Sequence, residues 1–259
     1  MGMLRHCRSL VWNRVASFVA GRLANGDPDA VGEWMGRLAT ARTATLPPAA
    51  ALRFTLKLED RLGLLDDEAA IRLDSGVHAK HRLMGYHNFF IQHIRPDDAV
   101  LDVGCGPGAV AADIADRTRA RVTGIDINAR SIEMARQRYS SPRLTFVIGD
   151  ATASVPEGAY TVVVLSNVLE HIRDREQFLR RVMESTGVGR FLIRVPLEER
   201  DWRVPLRREL GLEWRADLTH ETEYTSESFA REMKSAGLTI REQQFRWGEI
   251  WAECVKRET

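Results

Sequence analysis

The chain has 259 residues, which is enough to bury one core domain of about 150 to 200 residues and to carry an additional segment. Its 37 Lys and Arg residues nearly balance its 36 Asp and Glu residues, so a formal net charge of +1 gives no reason to expect RNA or DNA as a partner. The three cysteines, Cys7, Cys105 and Cys254, lie far apart, which argues against a disulfide framework and favours a reducing compartment, and we expect a cytoplasmic protein.

The N-terminal residues 1–23 predict an amphipathic helix. Four arginines interrupt the apolar residues there, so we expect no signal peptide, and no other run is long enough for a transmembrane segment. Such a helix packs on its own protein or, as the alternative, makes a peripheral contact with a membrane surface. The apolar positions that recur at helical spacing are Leu4, Val11, Val15, Phe18, Val19 and Leu23.

The rest of the first 95 residues also predicts helices. A Pro47-Pro48 break precedes a helix that we expect from Ala49 to Leu65. We interpret residues 1–95 as an N-terminal helical lobe or lid. Its last part, Gly76 to Phe90, contains three of the seven histidines, and Arg82 is our candidate there for binding a carboxylate or the substrate.

From residue 96 to residue 259 the sequence alternates between strand and helix patterns, as a parallel sheet with crossover helices requires. We therefore predict an α/β domain and a boundary near Arg95 and Pro96. The last two strands have only Trp247 and Gly248 between them, which predicts an antiparallel hairpin at the end of the sheet. The seven predicted strands are Ala99 to Val103, Arg121 to Asp126, Leu144 to Ile148, Thr161 to Leu165, Arg190 to Val195, Thr239 to Arg246 and Glu249 to Val255.

A glycine-rich turn follows the first strand in the segment VLDVGCGPGAVA, Val100 to Ala111. Gly104, Gly106 and Gly108 let the backbone approach a ligand closely, so a nucleotide-like ligand should lie over this turn. Dinucleotide-binding folds also place glycines here, and a nicotinamide-dependent dehydrogenase is the alternative for this motif alone.

With its neighbouring acidic residues, the segment resembles motif I of the class I S-adenosylmethionine-dependent methyltransferases, which have a Rossmann-like seven-stranded core. The resemblance implies S-adenosyl-L-methionine as cofactor. It implies that Asp102 positions the methionine portion, that Asp126 accepts the ribose hydroxyl protons and that Asp150 contacts the adenine amino group. Further candidates for contacting the cofactor are Ile127, Ala151, Asn167 and Arg82.

Two later segments, SNVLEHI and DLTHETEYTSESF, resemble the metal site of small-RNA 3′-terminal 2′-O-methyltransferases. The resemblance implies that Glu170, His171 and His220 bind Mg²⁺ or Mn²⁺ and take part in catalysis. Asn167 replaces a glutamate of that motif, and its carbonyl oxygen brings one negative charge fewer to the predicted metal site. Ubiquinone-pathway O-methyltransferases have a similar cluster. Without a metal, His171 or His220 could act as general base.

A hydroxyl of a sugar, a glycan or another polar small molecule is the acceptor that we expect. The motifs Gly-Val-His-x-Lys-His-Arg and Thr-His-x-x-x-Tyr resemble those of bacterial methyltransferases associated with polysaccharide biosynthesis. The insertion from Glu198 to Asp217 carries tryptophans and arginines that suit a sugar or a phosphorylated substrate. Its alternative role is a helical cover or the contact of a homodimer.

Two other functions remain open from the sequence. The metal-site resemblance suggests an RNA 2′-O-methyltransferase, which would need a basic groove that the near-zero net charge does not support. The other function is a non-catalytic module that binds the cofactor as a scaffold. Such a module would be expected to have lost the glycine turn or an acidic residue, and this chain keeps both.

Overall fold

The computed structural model describes residues 17, 19–21 and 23–258. The predicted amphipathic helix of residues 1–23 therefore lies almost entirely outside the described residues. Tertiary contacts divide the chain into two compact units, which meet in sequence at Asp66 and Asp67. This division comes earlier than the predicted boundary near Arg95 and Pro96, because the helix that immediately precedes Arg95 packs within the α/β unit.

The first unit contains two long helices, in agreement with the helical pattern of its sequence. Helix α1, Pro28–Thr43, begins where the Asp27 carboxylate accepts a hydrogen bond from the Ala30 N–H at 3.0 Å. Helix α2, Pro48–Leu73, begins at the predicted proline break and continues past the predicted end at Leu65 into the second unit. Among the described residues, no helix is long and apolar enough to cross a membrane.

The second unit is a seven-stranded sheet flanked by helices, which confirms the predicted fold. It begins with two short helices, α3, Lys80–Met84, and α4, Tyr86–His93. The strands are β1, Ala99–Val103; β2, Arg121–Asp126; β3, Leu144–Ile148; β4, Val162–Ser166; β5, Arg190–Pro196; β6, Leu238–Arg246; and β7, Glu249–Lys256. The remaining helices are α5, Ala109–Thr118; α6, Ala129–Arg138; α7, Arg175–Thr186; α8, Arg203–Glu209; and α9, Ser226–Ser235.

The strand order is β3-β2-β1-β4-β5-β7-β6, with β7 antiparallel to both of its neighbours. The predicted terminal hairpin is thereby confirmed, and Trp247 and Gly248 form its turn. The first five strands are parallel, so their carboxyl ends lie at one edge of the sheet. From β1 the chain proceeds to β2 on one side and later to β4 on the other, which opens a crevice at that edge.

The central strands are apolar along nearly their whole length because helices cover both faces of the sheet. In β1, Leu101 and Val103 enter one hydrophobic cluster while Val100 enters the other. Val163 and Val164 of β4 divide in the same way, and each is fully buried. Cys105 and Cys254, the two cysteines within the described part of the chain, are buried and free.

Gly108, at the start of α5, is the glycine whose replacement should most disturb this packing. Its φ is +84°, and an added Cβ would lie 2.6 Å from Cζ of Phe146. We expect Gly108→Ala to lower the free energy of unfolding by about 2 to 5 kcal/mol. Two costs contribute: the strain of a left-handed backbone conformation and the overpacking of the added methyl group against Phe146. Urea unfolding measures the change.

The matched control is Gly187→Ala at the end of α7, where φ is +73° but the added Cβ would meet nothing within 4 Å. It carries the backbone strain alone, for which we expect a loss of about 1 to 2 kcal/mol. Equal losses in the two variants would contradict the close approach of Phe146 to the glycine turn.

Candidate functional site

The glycine turn after β1 is held in shape by backbone constraints and by its neighbours. Gly104 and Gly106 adopt φ values of +65° and +51°, which a residue with a side chain rarely adopts. A Cβ on Gly104 would lie 2.6 Å from Cγ2 of Val168, so the loop after β4 packs directly on this turn. The predicted need for glycine therefore has a packing reason as well as a conformational one.

Asp126, at the end of β2, fixes the turn from the side. One carboxylate oxygen accepts a hydrogen bond from the Gly106 N–H at 2.8 Å, and the other accepts one from the Asn128 N–H at 2.7 Å. Each carboxylate oxygen has more than one lone pair, so both can still accept a bond from a ligand hydroxyl. Ile127, the next residue, is 71% exposed and borders the cleft beside it.

A cleft of about 450 Å³ lies at the carboxyl ends of β1 to β4, and it brings together most of the predicted cofactor residues. At its far end, the Asp150 carboxylate accepts hydrogen bonds from the Thr152 N–H at 2.8 Å and the Thr152 hydroxyl at 2.7 Å. The bond from the Thr152 hydroxyl is the main reason that the pKa of Asp150 is lowered. The lining residues include Gly104, Asp126, Ile127, Asp150, Ala151, Asn167 and His171.

A second, smaller pocket of about 230 Å³ lies on the other side of the glycine turn and shares Gly104 and Asn167 with the cleft. Asp102 is buried in its wall, and its Oδ2 atom has no hydrogen-bond partner within the described chain. Burial first, and then the negative charge of Asp126, raises the pKa of Asp102 to about 8. A cationic ligand group beside Asp102 would favour its charged form.

One wall of this smaller pocket is formed by basic side chains. Lys80 and His81 of α3 and Arg194 of β5 line it. The predicted residue Arg82 does not line either pocket: its guanidinium donates to both oxygens of Asp74, with N–O distances of 3.0 and 3.1 Å. Arg82 and His81 are adjacent on a helix and therefore point in different directions.

Glu170, His171 and His220 come together beside the cleft, as the sequence predicted for a metal site. Each offers one ligand atom, and the three atoms lie within 4.8 Å of one another. The two imidazole rings meet edge to face, with centroids 4.6 Å apart. Glu170 and His171 belong to a short 3₁₀ helix after β4, whereas His220 comes from the segment that precedes α9.

His220 is held in place by a chain of buried charges. Its Nδ1 atom lies 2.7 Å from Oε1 of Glu223, and the other oxygen of Glu223 accepts a hydrogen bond from Arg200 at 2.8 Å. A carboxylate on one imidazole nitrogen fixes the ring and leaves the other nitrogen available, which is the arrangement seen around metal-binding histidines. Glu223 and Arg200 were not predicted as site residues.

The carboxyl group of Glu170 is fully buried, and neither oxygen has a hydrogen-bond partner in the described chain. Burial raises its pKa to about 8. Burial, and then the proximity of His220, lower the pKa of His171, which favours the neutral form of its ring. A bound cation would satisfy Glu170 and favour its charged form.

Arg194 is a further site residue that the sequence analysis did not predict. Its guanidinium donates two hydrogen bonds of 2.6 Å to Glu249 and lies 3.8 Å from the centre of the Tyr86 ring. Trp251 also donates to Glu249, at 2.8 Å. An arginine inside the apolar run FLIRVP was the available signal, because a buried charge requires a partner.

The arginines in and beside the insertion of residues 198–217 are largely paired with acidic residues. Arg203 donates to Asp201 at 2.6 Å, and Arg208 lies 2.8 Å from Glu198 and also stacks on Trp214. Arg200 pairs with Glu223, and Arg215 pairs with Glu213. Trp202 remains 73% exposed. This segment therefore offers an aromatic surface with little uncompensated positive charge.

Comparisons with known proteins agree on the family. Residues 76–243 match the family model described as a methyltransferase domain. The chain is 29% identical over 154 residues to 2-methyl-6-phytyl-1,4-hydroquinone methyltransferase of Synechocystis sp., covering 55% of this chain and 47% of that protein. It is 29% identical over 155 residues to the ubiquinone biosynthesis O-methyltransferase of Rhodopseudomonas palustris, covering 56% and 59%.

A solved structure has the same fold. Magnesium protoporphyrin IX methyltransferase of Synechocystis, with bound S-adenosylhomocysteine, superimposes with a TM-score of 0.55 at 16% sequence identity. The match covers 67% of this chain and 83% of that chain. In sequence, the chain spans about half the length of the curated relatives it matches.

The unpaired burial of Asp102 predicts a pH-dependent stability of the protein without ligand. A carboxyl whose pKa is raised on folding stabilises the protein at low pH, and that contribution is lost as the pH rises through the folded pKa of about 8. We expect the wild type to lose about 1 to 3 kcal/mol more than Asp102→Asn between about pH 5 and about pH 8. Urea unfolding at both pH values measures the difference.

Asp97→Asn is the control, because it removes a carboxylate that is exposed. It should have the pH dependence of the wild type. If the stability of Asp102→Asn also has the pH dependence of the wild type, the burial of the Asp102 carboxyl group does not raise its pKa.

Proposed function

The chain belongs to the class I S-adenosylmethionine-dependent methyltransferases, and from that premise we propose that it methylates a hydroxyl oxygen of a polar small molecule or glycan, assisted by a divalent cation. The observation that carries the proposal is the cluster of Glu170, His171 and His220. His171 also lines the larger cleft, so the cluster lies beside it. The carboxylate suits Mg²⁺ or Mn²⁺, whereas imidazole is a ligand of transition-metal ions, so Mn²⁺ fits this mixed set better than Mg²⁺.

The two pockets divide the cofactor between them. The larger cleft takes the adenosine portion, with Asp126 for the ribose and Asp150 for the adenine. The smaller pocket takes the methionine portion, whose ammonium group would give the unpaired Oδ2 atom of Asp102 a partner. The reacting sulfur then lies near Gly104 and Asn167, the residues that the two pockets share.

The acidic and imidazole groups fit a cation. Both buried oxygens of Glu170 have no partner in the described chain, and Nδ1 of His220 is already bonded to Glu223, which leaves Nε2 of that ring for a ligand. A bound divalent cation would lower the pKa of an acceptor hydroxyl and orient it. Asn167 contributes its unpartnered Oδ1 to the same region, as a ligand of the cation or as a contact of the cofactor.

In the reaction, the acceptor oxygen forms a bond to the methyl carbon while the carbon–sulfur bond of the sulfonium breaks. The bonding pair stays on sulfur, which leaves as the neutral thioether, and the hydroxyl proton passes to a base. Where no cation is bound, His171 is suited to accept that proton, because burial lowers its pKa and favours its neutral form. When His171 binds the cation its lone pair is occupied, and the proton passes to solvent. The Thr219 hydroxyl, 3.0 Å from Nδ1 of His171, fixes the orientation of the ring.

An acceptor with two neighbouring hydroxyls suits this site, because both oxygens can reach one cation. The name of the Rhodopseudomonas relative specifies O-methylation, and that of the Synechocystis relative specifies a hydroquinone. The exposed ring of Trp202 offers a surface on which a sugar or an aromatic ring can stack. A sugar is our preferred acceptor because of the upstream histidine motif.

The paired arginines of the insertion weigh against the RNA 2′-O-methyltransferase alternative. Phosphate binding needs cations that are not already neutralised, and Arg200, Arg203, Arg208 and Arg215 each have a carboxylate partner. The non-catalytic alternative is weakened by the buried, unpartnered carboxyl group of Glu170, which a module that only binds the cofactor would not need.

Asp126→Ala should weaken the binding of S-adenosylhomocysteine by about 10- to 100-fold, because the ribose hydroxyls and the Gly106 N–H lose their acceptor. Calorimetric titration measures the affinity. Glu133→Ala, which removes an exposed carboxylate from the following helix, should bind as the wild type does. Unchanged affinity in a folded Asp126→Ala variant would contradict this placement of the cofactor.

Glu170→Gln and His220→Ala should each reduce Mn²⁺ binding at least tenfold while S-adenosylhomocysteine still binds, since both remove a ligand of the proposed cation. Electron paramagnetic resonance of Mn²⁺ reports the metal directly. Glu221→Gln is the control, because Glu221 pairs with the exposed Arg173 outside the cluster. Equal Mn²⁺ binding in all variants would rule out this metal site and leave the histidine-based mechanism.

A further inference from the structure

A chain of hydrogen-bonding side chains lies behind the smaller pocket. Nδ1 of His87 lies 2.9 Å from Oδ2 of Asp113, and Nε2 of His87 lies 3.4 Å from Nδ1 of His81. Nδ1 of His81 also lies 2.5 Å from the hydroxyl oxygen of Tyr86. The function proposed above gives these residues no role, although His81 and Tyr86 line the pocket.

The order of donors along this chain follows from Asp113. A carboxylate only accepts, so Nδ1 of His87 carries the proton and donates it to Asp113. A neutral His87 then has its lone pair on Nε2, which faces Nδ1 of His81. The Asp113–His87 pair is therefore an oriented acceptor for a proton on Nδ1 of His81, the arrangement by which a carboxylate and a histidine stabilise an imidazolium.

Without a ligand, His81 is neutral. Burial, and then the positive charges around it, lower its pKa to about 4. Its Nδ1 atom accepts the proton of the Tyr86 hydroxyl, and its own proton is then on Nε2, for which no partner occurs in the described chain. The titratable and charged groups that surround His81 or line the same pocket are His78, Lys80, Tyr86, His87, Asp102, Cys105 and Arg194.

An anion in the smaller pocket would reverse this electrostatic balance. The positive charges of Lys80 and Arg194 disfavour a protonated His81. A carboxylate beside them would attract Lys80, Arg194 and the protonated His81 alike. Two groups of the methionine portion enter the pocket: the ammonium, which suits Asp102, and the carboxylate, which suits the basic wall. Arg194 already donates to Glu249 and to Ser166, which leaves it fewer N–H groups for a ligand, whereas Lys80 and the Nε2–H of His81 have no side-chain partner in the described chain.

We propose that His81 takes up a proton when the carboxylate of the cofactor's methionine portion enters the smaller pocket, and that the Asp113–His87 pair holds the resulting imidazolium in place. The inference rests on the cofactor placement proposed above. Nδ1 of His81 changes from acceptor of the Tyr86 hydroxyl to donor toward His87. His81 thereby contacts the cofactor, and His87 and Asp113 act as positioning residues.

The proton has a route that the bound cofactor does not block. His87 and Asp113 also line a separate cavity of about 450 Å³, together with Asp116, Arg138 and Ser140. Asp113 is 38% exposed there. The hydrogen-bonding chain therefore connects this second cavity on one side with the smaller pocket on the other.

Asp102 would contribute a proton change of opposite sign. Its raised pKa leaves it partly protonated without ligand, and pairing with the cofactor's ammonium group would release that proton. The net number of protons measured on binding is the sum of both changes. Asp113→Asn removes the pair with His87 and an exposed ion pair with Arg117, neither of which involves Asp102, so the difference in proton number between variant and wild type reports His81.

The test is calorimetric titration with S-adenosylhomocysteine in buffers of different ionisation enthalpy, which gives the number of protons bound. We expect Asp113→Asn to take up fewer protons than the wild type by about half a proton near pH 6. Asp116→Asn, which removes an exposed carboxylate from the same helix, should match the wild type. Nitrogen NMR of the histidine side chains, assigned with His81→Asn, should detect the imidazolium of His81 in the complex.

5′-Methylthioadenosine, which has the adenosine and thioether portions but no carboxylate, is the matched ligand. We expect it to bind while His81 stays neutral. If both ligands bind, His81 stays neutral in both complexes and Asp113→Asn equals the wild type, the proton-uptake proposal is overturned while the cofactor placement stands. If neither ligand binds to the folded protein, the proposed function fails and this inference fails with it.

Discussion

The hydrogen bond from the Gly106 N–H to the Asp126 carboxylate ties the turn after β1 to the end of β2. It gives the turn a fixed shape, which the close packing of Val168 on Gly104 reinforces from the β4 side. The two ligand pockets lie on either side of this turn, so their shapes and the residues they share depend on it. A parallel sheet makes the arrangement possible because its strand ends lie at one edge.

Around the turn, the protein buries acidic groups without satisfying them internally. Asp102 lacks a partner for one oxygen and Glu170 for both, within the described chain. Each unsatisfied buried group costs about 1 to 3 kcal/mol or more, a cost that a ligand can offset. Stability is thus reduced at the positions where a ligand ammonium and a cation are proposed to bind, and ligand binding should stabilise the fold.

The terminal hairpin also contributes to the site, because β7 lies next to β5 in the sheet. Glu249 of β7 holds the guanidinium of Arg194, and that guanidinium covers the ring of Tyr86 from α4. Residues from the beginning, the middle and the end of the α/β unit therefore meet at one buried ion pair. Without Glu249, Arg194 would be a buried charge without an acidic partner, so the hairpin stabilises the smaller pocket as well as the sheet edge.

The sequence determined the sheet, the hairpin and the carboxylates at the strand ends, because these depend on local hydrophobic periodicity and on the rule that parallel strands end together. It also led to the cluster of Glu170, His171 and His220, through resemblance to known motifs. The tertiary structure decided which face of α3 lines the smaller pocket: His81 lines it, whereas Arg82 pairs with Asp74. It likewise decided that Glu223 holds His220 and that Glu249 holds Arg194. Such pairings depend on side-chain direction and on contacts between distant segments, which periodicity along the chain does not specify.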